Sequence, residues 1–343
     1  MHIIALHRGR NAKTSLLFKS ITQQDYNFDF RGFNGGSVLN PLWLLLKAWI
    51  TAREVPKADA YLIEGGLVFW VGWFLKRRYP SARLLLMVPE PAFWCDPAKG
   101  SLQKAFYRFR MHAIRTTVSW MFPICKMVAE DAHKECGFPL EQMQPVPHPI
   151  LDQHRFDRLV PVPRGQVVVF IIDRPNDTGF VKGLDRALVI CEKAHQYNPD
   201  MRLLLVGAGC EELPIDRPWI EKKGHAPIEE IMARAKVLIA PARYDAFLLV
   251  VGEAVLSGVI PLVSDKVGIK ERLGGDAHFL QIAANTPEVW SEQLLRCLTM
   301  SDEERLELIE KLRPYFLDLT EAHCIEQFKS AVLASVTSHE LCS

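Results

Sequence analysis

Several absences narrow the function of this chain before any motif is read. Its eight cysteines stand singly, at Cys95, Cys125, Cys136, Cys191, Cys210, Cys297, Cys324 and Cys342. With no C-x-x-C pair and no histidine at zinc-finger spacing, a structural zinc site is not expected, and free thiols in a reducing compartment are. No Asp-x-Asp occurs anywhere, so the short carboxylate pair that often holds a divalent cation on a phosphorylated substrate is missing. The longest uncharged apolar run, residues 65–75, has 11 residues, whereas a membrane span needs about 20. The amino-terminal stretch Ile3-Ile4-Ala5-Leu6, followed by His7-Arg8-Gly9-Arg10, does not read as a secretory leader, and a cytoplasmic location is expected. There is no internal repeat and no low-complexity tract.

What is present is an ordinary globular composition. At 343 residues and 49% hydrophobic the chain has ample material for a core, and the length suits two domains better than one. The net charge of +1 conceals an imbalance: residues 1–150 carry 19 Lys and Arg against 11 Asp and Glu, and residues 151–343 carry 22 against 29. The first half is therefore basic and the second acidic. No nucleic-acid motif accompanies the cations, so nucleic acid is not an expected partner.

Apolar runs alternate with helix-like stretches throughout. In the first half, strands are expected at 3–6, 60–63 and 84–88, with helices at 40–52 and 103–119. A Pro-rich passage between Met143 and Pro163 can sustain neither a helix nor a central strand, and marks a hinge. Beyond it the series resumes, with strands at 167–172, 202–206, 237–240 and 260–263. Helices are expected at 183–196, 228–235, 252–257, 286–300 and 302–312. Two such α/β series predict two Rossmann-like domains facing each other across a cleft, with ligands at the carboxyl ends of the strands.

The most informative segment runs from Asp245 through Phe247 and Glu253 to Gly258 and Pro261. Two acids eight positions apart flank an uncharged loop, and Glu253 is placed at a helix start. An ionised carboxylate there suits the two hydroxyls of a ribose, and the backbone N–H groups just before it suit a phosphate. Arg174 and Lys182 follow the first strand of the second series, where they can neutralise a diphosphate. The Gly207-Ala208-Gly209 turn is followed by Cys210-Glu211-Glu212; the third glycine of a dinucleotide fingerprint is missing, which argues against NAD.

Acid, seven residues, acid, then Ala254 and a downstream Gly-x-x-Pro resembles the E-x7-E signature of the retaining, GT-B-fold glycosyltransferases of family 4. Gly207-Ala208-Gly209 is similar to that family's strand-end turn, and Gly224-His225 to its short nucleobase loop. Gly268 to Glu271 looks like its Gly-x-x-Glu turn, and Arg174 with Lys182 like its basic pair. The resemblance covers about residues 165–285 well and the first 150 residues only in outline. The sequence departs from the pattern at Asp245, where the family has Glu, and at Leu248, where it has Gly.

The resemblance implies a retaining transfer of a sugar from a nucleoside-diphosphate sugar to a saccharide or lipid-linked acceptor in cell-envelope or polysaccharide synthesis, with no metal and no other cofactor. It implies an acceptor domain at 1–150, a donor domain at 151–315, and a terminal helix within 316–343 that returns to the first domain. Gly9, Arg174, Lys182, His225, Phe247, Leu249, Val250 and Glu253 would bind the donor. Asp245 would face the reacting sugar, and Glu90, or Glu64, the acceptor. A nucleotide-sugar epimerase and a catalytically silent partner subunit share the fold and remain alternatives. The basic, aromatic stretch of the first half (Trp70, Trp73, Lys76 to Arg78, and Lys104 to Arg115) reads in two ways: as a surface that meets an anionic membrane, giving a peripheral enzyme on the inner face of the plasma membrane, or as a core around Trp70 and Trp73 with solvated cations outside it.

Overall fold

A computed structural model describes residues 2–7, 12–22, 24–27, 40–89, 93, 100–156, 165–172, 175–283 and 286–337. The chain forms two compact units. One comprises Met1–Pro149 together with Glu321–Ser343, the other Ile150–Thr320.

The first unit runs β1 (Ile3–His7), α1 (Ala12–Lys19), β2 (Gln24–Asn27), α2 (Asn40–Glu54), β3 (Ala60–Glu64), α3 (Phe69–Arg78), β4 (Arg83–Val88), α4 (Ser101–Thr117), β5 (Trp120–Pro123) and α5 (Lys126–Cys136). Its five parallel strands lie in the order β2-β1-β3-β4-β5. Strands β1 and β3 are buried from end to end, and β4 in all but its first residue, as a sheet covered on both faces requires. Helix α2 packs beside α3, and α3 beside α4.

The second unit holds β6 (Val167–Ile171), α6 (Pro175–Lys182), α7 (Leu184–Tyr197), β7 (Arg202–Val206), β8 (Ile220–Lys223), α8 (Ile228–Arg234) and β9 (Val237–Ala240). It continues with α9 (Val250–Leu256), β10 (Ile260–Ser264), β11 (Gln281–Ile282), α10 (Pro287–Thr299), α11 (Asp302–Leu312) and α12 (Pro314–Leu317). Its six parallel strands are ordered β11-β10-β9-β6-β7-β8. The last helix, α13 (Glu321–Thr337), belongs to the first unit. There Phe328 stacks on Phe18 at 6.0 Å and meets Phe122 edge-on at 5.8 Å, and the Arg83 guanidinium donates to the Val336 carbonyl.

Most expected elements lie within a few residues of those observed. The strands that pattern-reading omits include β2 (QDYN) and β8 (IEKK). Both are sheet edges, where polar side chains are tolerated and the alternation that marks a half-buried strand is lost. Trp70 corrects the membrane-surface reading. Rather than facing lipid, it is fully buried, with its ring 5.2 Å from Phe106 and 5.4 Å from Phe109. It joins α3 to α4 and is unavailable to lipid.

In the first unit His148 is buried, with Nε2 3.3 Å from the Thr14 hydroxyl. Burial, with the Lys13 charge nearby, pushes its pKa down from 6.5 to about 3. Below pH 6.5 the unfolded chain takes up a proton that the folded chain refuses until about pH 3, so stability falls as the pH falls through that window. Between about pH 6.5 and pH 3 wild type should therefore lose roughly 1 kcal/mol per pH unit relative to His148→Gln. Urea midpoints above and below neutrality test this; parallel pH profiles for the two proteins would refute it.

Candidate functional site

In the second unit the strand sequence reverses between β6 and β9. The crossovers leave in opposite directions there, and open α/β sheets bind ligands at such a reversal, beyond the strands' carboxyl ends. The chain leaving β6 leads through α6 to Lys182, and the chain leaving β9 leads through Pro241 to Asp245. Two contacts bring these exits together. Gly183 has φ +77°, and a Cβ there would lie 2.3 Å from the Pro241 carbonyl oxygen, so only glycine allows the approach. The Arg243 N–H donates to the Val181 carbonyl at 2.7 Å, and its guanidinium grips Asp185 through two hydrogen bonds of 2.7 Å. Those bonds hold the Asp185 carboxyl below the usual carboxylate range.

Lys182 and Asp245 therefore meet as a hydrogen-bonded ion pair. Asp245 is buried and held on every side. Its Oδ1 accepts the Phe247 N–H at 2.9 Å, its own N–H donates to Lys266 at 3.0 Å, and its carbonyl accepts the Gly268 N–H at 2.9 Å. The Gly-x-x-Glu turn singled out in the sequence is thus the wall against which Asp245 is set.

From Phe247 the chain enters α9 through Leu248, whose φ of +54° is rare for a residue with a Cβ. The resembled family has glycine here, the residue that takes positive φ without a Cβ clash. The helix begins at Val250, earlier than the expected start at Gly252, and Glu253 lies in its first turn rather than at its first position. The half-buried Leu249 and Val250 lie at the end where a helix leaves its N–H groups to outside acceptors. Gly252 seats α9 closely, since a Cβ there would lie 2.8 Å from Ile150 and 3.0 Å from Phe316.

Glu253 is largely buried, and Arg155 Nη2 lies 3.5 Å from its carboxylate. The same guanidinium has Nε 3.2 Å from Glu229. Arg155 stands in a short turn of the stretch that the sequence marks only as a proline-rich hinge, and no local signal ties it to Glu253. Arg243 was equally silent, although it stands two residues before Asp245.

The fold therefore brings together Lys182, Asp245 and Phe247, with Leu249, Val250 and Glu253 following along the same loop and helix. His225 is elsewhere, exposed at the carboxyl end of β8, with β7 between β8 and β6. Beside it a Cβ on Gly224 would lie 2.3 Å from the Glu211 carboxylate, so the turns after β7 and β8 approach through that glycine. Gly9, Glu90 and Arg174 lie outside the described residues. In the first unit the strand order reverses between β1 and β3. Their carboxyl ends carry His7 and Glu64, both buried and at neighbouring register positions. Among the described residues no three His, Cys, Asp or Glu side chains gather as a metal site.

Residues 167–300 match the family model described as "Glycosyl transferases group 1". No curated protein matches the sequence. Among solved structures, an alpha,alpha-trehalose-phosphate synthase (UDP-forming) from Burkholderia vietnamiensis is similar at TM-score 0.74 and 10% identity, covering 96% of each chain. An E. coli protein described as trehalose-6-phosphate bound with UDP-2-fluoro glucose gives 0.71 and 12%, covering 96% of this chain and 98% of that one. Anabaena HepE in complex with UDP and glucose gives 0.68 and 13%, covering 97% and 100%. At these identities the likeness is one of fold.

Gly183→Ala should separate the two exits. The left-handed backbone alone costs about 1–2 kcal/mol, and displacing the Pro241 carbonyl adds to it. We expect a lowered denaturant midpoint at unchanged m-value and weakened binding of any ligand at Lys182; a variant as stable as wild type would show that the approach is not constrained.

Proposed function

We propose that this chain, whose residues 167–300 match the model of the glycosyl transferases group 1 and whose fold is like that of a UDP-forming trehalose-phosphate synthase, is a GT-B-fold glycosyltransferase that moves a hexose from a nucleoside-diphosphate sugar to a saccharide or lipid-linked acceptor with retention of configuration. The observation that carries this is the meeting of Lys182 and Asp245 at the β6/β9 reversal, with Glu253 one helical turn into α9. Glu253, held by Arg155, accepts two hydrogen bonds from the ribose diol. The N-terminus of α9 receives a phosphate. Lys182 exchanges Asp245 for the diphosphate and offsets the charge that develops on it as the glycosidic bond breaks. Asp245, still fixed by the Phe247, Lys266 and Gly268 backbone, is left facing the sugar. Arg174 joins Lys182 on the diphosphate, and His225 is assigned to the base. The leaving phosphate takes the acceptor proton in a front-face substitution, so no protein nucleophile is required. Uridine diphosphate is the first donor base to test, because two of the fold's neighbours are described with UDP or a UDP-sugar. The first unit takes the acceptor, with Glu64 and Glu90 as hydroxyl partners and Gly9 near the donor phosphates. The enzyme works at the cytoplasmic face of the plasma membrane, in cell-envelope or polysaccharide synthesis.

A thermal-shift screen with UDP, GDP and ADP tests donor binding. Glu253→Ala should raise the donor KM and cut turnover about 10- to 100-fold, the worth of a charged hydrogen bond, with the fold intact. Unaltered kinetics would remove Glu253 from the site. Product formed from the nucleotide-sugar without acceptor would mean an epimerase, and no nucleotide binding at all a silent partner subunit.

Because Asp245 and the diphosphate compete for Lys182, two further variants should separate binding from transfer. Lys182→Ala should weaken nucleoside-diphosphate binding by about 10-fold or more. Asp245→Asn should bind the nucleotide at least as tightly as wild type yet lose transfer. Calorimetry with progress curves decides; equal loss of binding in both variants would mean that the pair is structural.

A further inference from the structure

Helix α2 carries two apolar faces. Leu44, Ala48 and Ala52 are buried, on the face that packs against α3. On the opposite face Leu42, Trp43, Leu46, Trp49 and Ile50 are 72%, 43%, 54%, 42% and 47% exposed. At about 100° per residue these five positions fall within one stripe about 120° wide. A helix with only one face on a core should be polar on the other, and one that is apolar on both has two apolar surroundings.

The charges around the stripe are mostly positive. The Lys47 ammonium lies 5.0 Å from the centre of the Trp43 ring, and the Arg53 guanidinium 4.9 Å from that of Trp49. Arg78, from the end of α3, donates to the Ala52 and Arg53 carbonyls at 3.0 and 2.7 Å and so adds a cation at the end of α2. Lys57 is exposed three residues after the helix, and α2 itself contains one acid, Glu54. A second copy laid face to face would set these cations against each other. Lipid phosphates meet them with opposite charge.

We propose that α2 is the membrane-docking element, lying in the headgroup region of an anionic bilayer with the Leu42–Ile50 face in the acyl boundary. Trp43 and Trp49 sit at headgroup depth, where an indole keeps its ring in apolar surroundings and its N–H near water. Each cation near the surface adds about 1 kcal/mol of attraction. The attachment moves from the Trp70 and α4 region of the sequence reading to a helix whose apolar face is open. It rests on the membrane-surface part of the proposed function and names what carries it, and its test uses no nucleotide.

The experiment is co-sedimentation of the full chain with vesicles of phosphatidylcholine alone and with added phosphatidylglycerol, at low and high salt. Wild type should bind the anionic vesicles, and raised salt should weaken binding. Leu46→Ser with Trp49→Ser should reduce partitioning at least about tenfold, from lost apolar burial. Arg53→Glu with Lys57→Glu should remove the preference for anionic lipid. All four residues are exposed, and circular dichroism with the nucleotide thermal shift reports whether each variant keeps its fold and donor site. Equal vesicle binding by wild type and the Leu46/Trp49 variant overturns the proposal. So does a dimer seen by light scattering that this variant abolishes, since a second copy would then be the occupant. Vesicle binding without any nucleotide response would leave the docking helix standing and remove the donor site; the converse result would remove only the helix.

Discussion

The backbone contact between Gly183 and Pro241 decides where the chemistry of the second unit can sit. It exists because one residue has no Cβ and tolerates positive φ. Through it the strand that opens the domain and the strand that begins its second half deliver a cation and a carboxylate to one point. The Arg243–Asp185 fork closes the same junction from outside. Both exits are rigid when they arrive, so Lys182 and Asp245 are positioned by framework rather than by their own flexibility.

A site built on an ion pair has a consequence for ligand binding. In this structure Lys182 is already paired with Asp245, so in the proposed reaction a diphosphate has to displace that carboxylate from the lysine. Asp is a methylene shorter than Glu, yet its Oδ1 is anchored to the Phe247 N–H and its backbone to Lys266 and Gly268. The acid is thus held through both its side chain and its backbone. Leu248 carries the left-handed turn that glycine would take without strain, and such strain persists only where surrounding contacts over-determine the backbone.

The two units divide their burdens by charge. The basic half carries α2, whose second apolar face is flanked by Lys47 and Arg53, and the acidic half holds the ion pair and α9. Trp70, by contrast, is fully buried against Phe106 and Phe109. An aromatic residue among cations reads the same in sequence whether it faces lipid or core, since only the helix packed over it makes the difference.

The parallel α/β architecture was legible from the apolar runs alone. Runs such as Val167–Ile171 and Arg202–Val206 are apolar because a strand covered on both faces must be, and that signal is local. The sequence also marked the Asp245 to Glu253 segment, because two acids around an apolar loop are informative at any level of structure. Strand order was not legible, since it depends on which strands pair across dozens of residues. With it went the reversal between β6 and β9 that makes the end of α6 and the loop after β9 one place. Arg155 and Arg243 were invisible for the same reason: a salt bridge is a relation between distant positions, and only the folded chain brings its partners within reach.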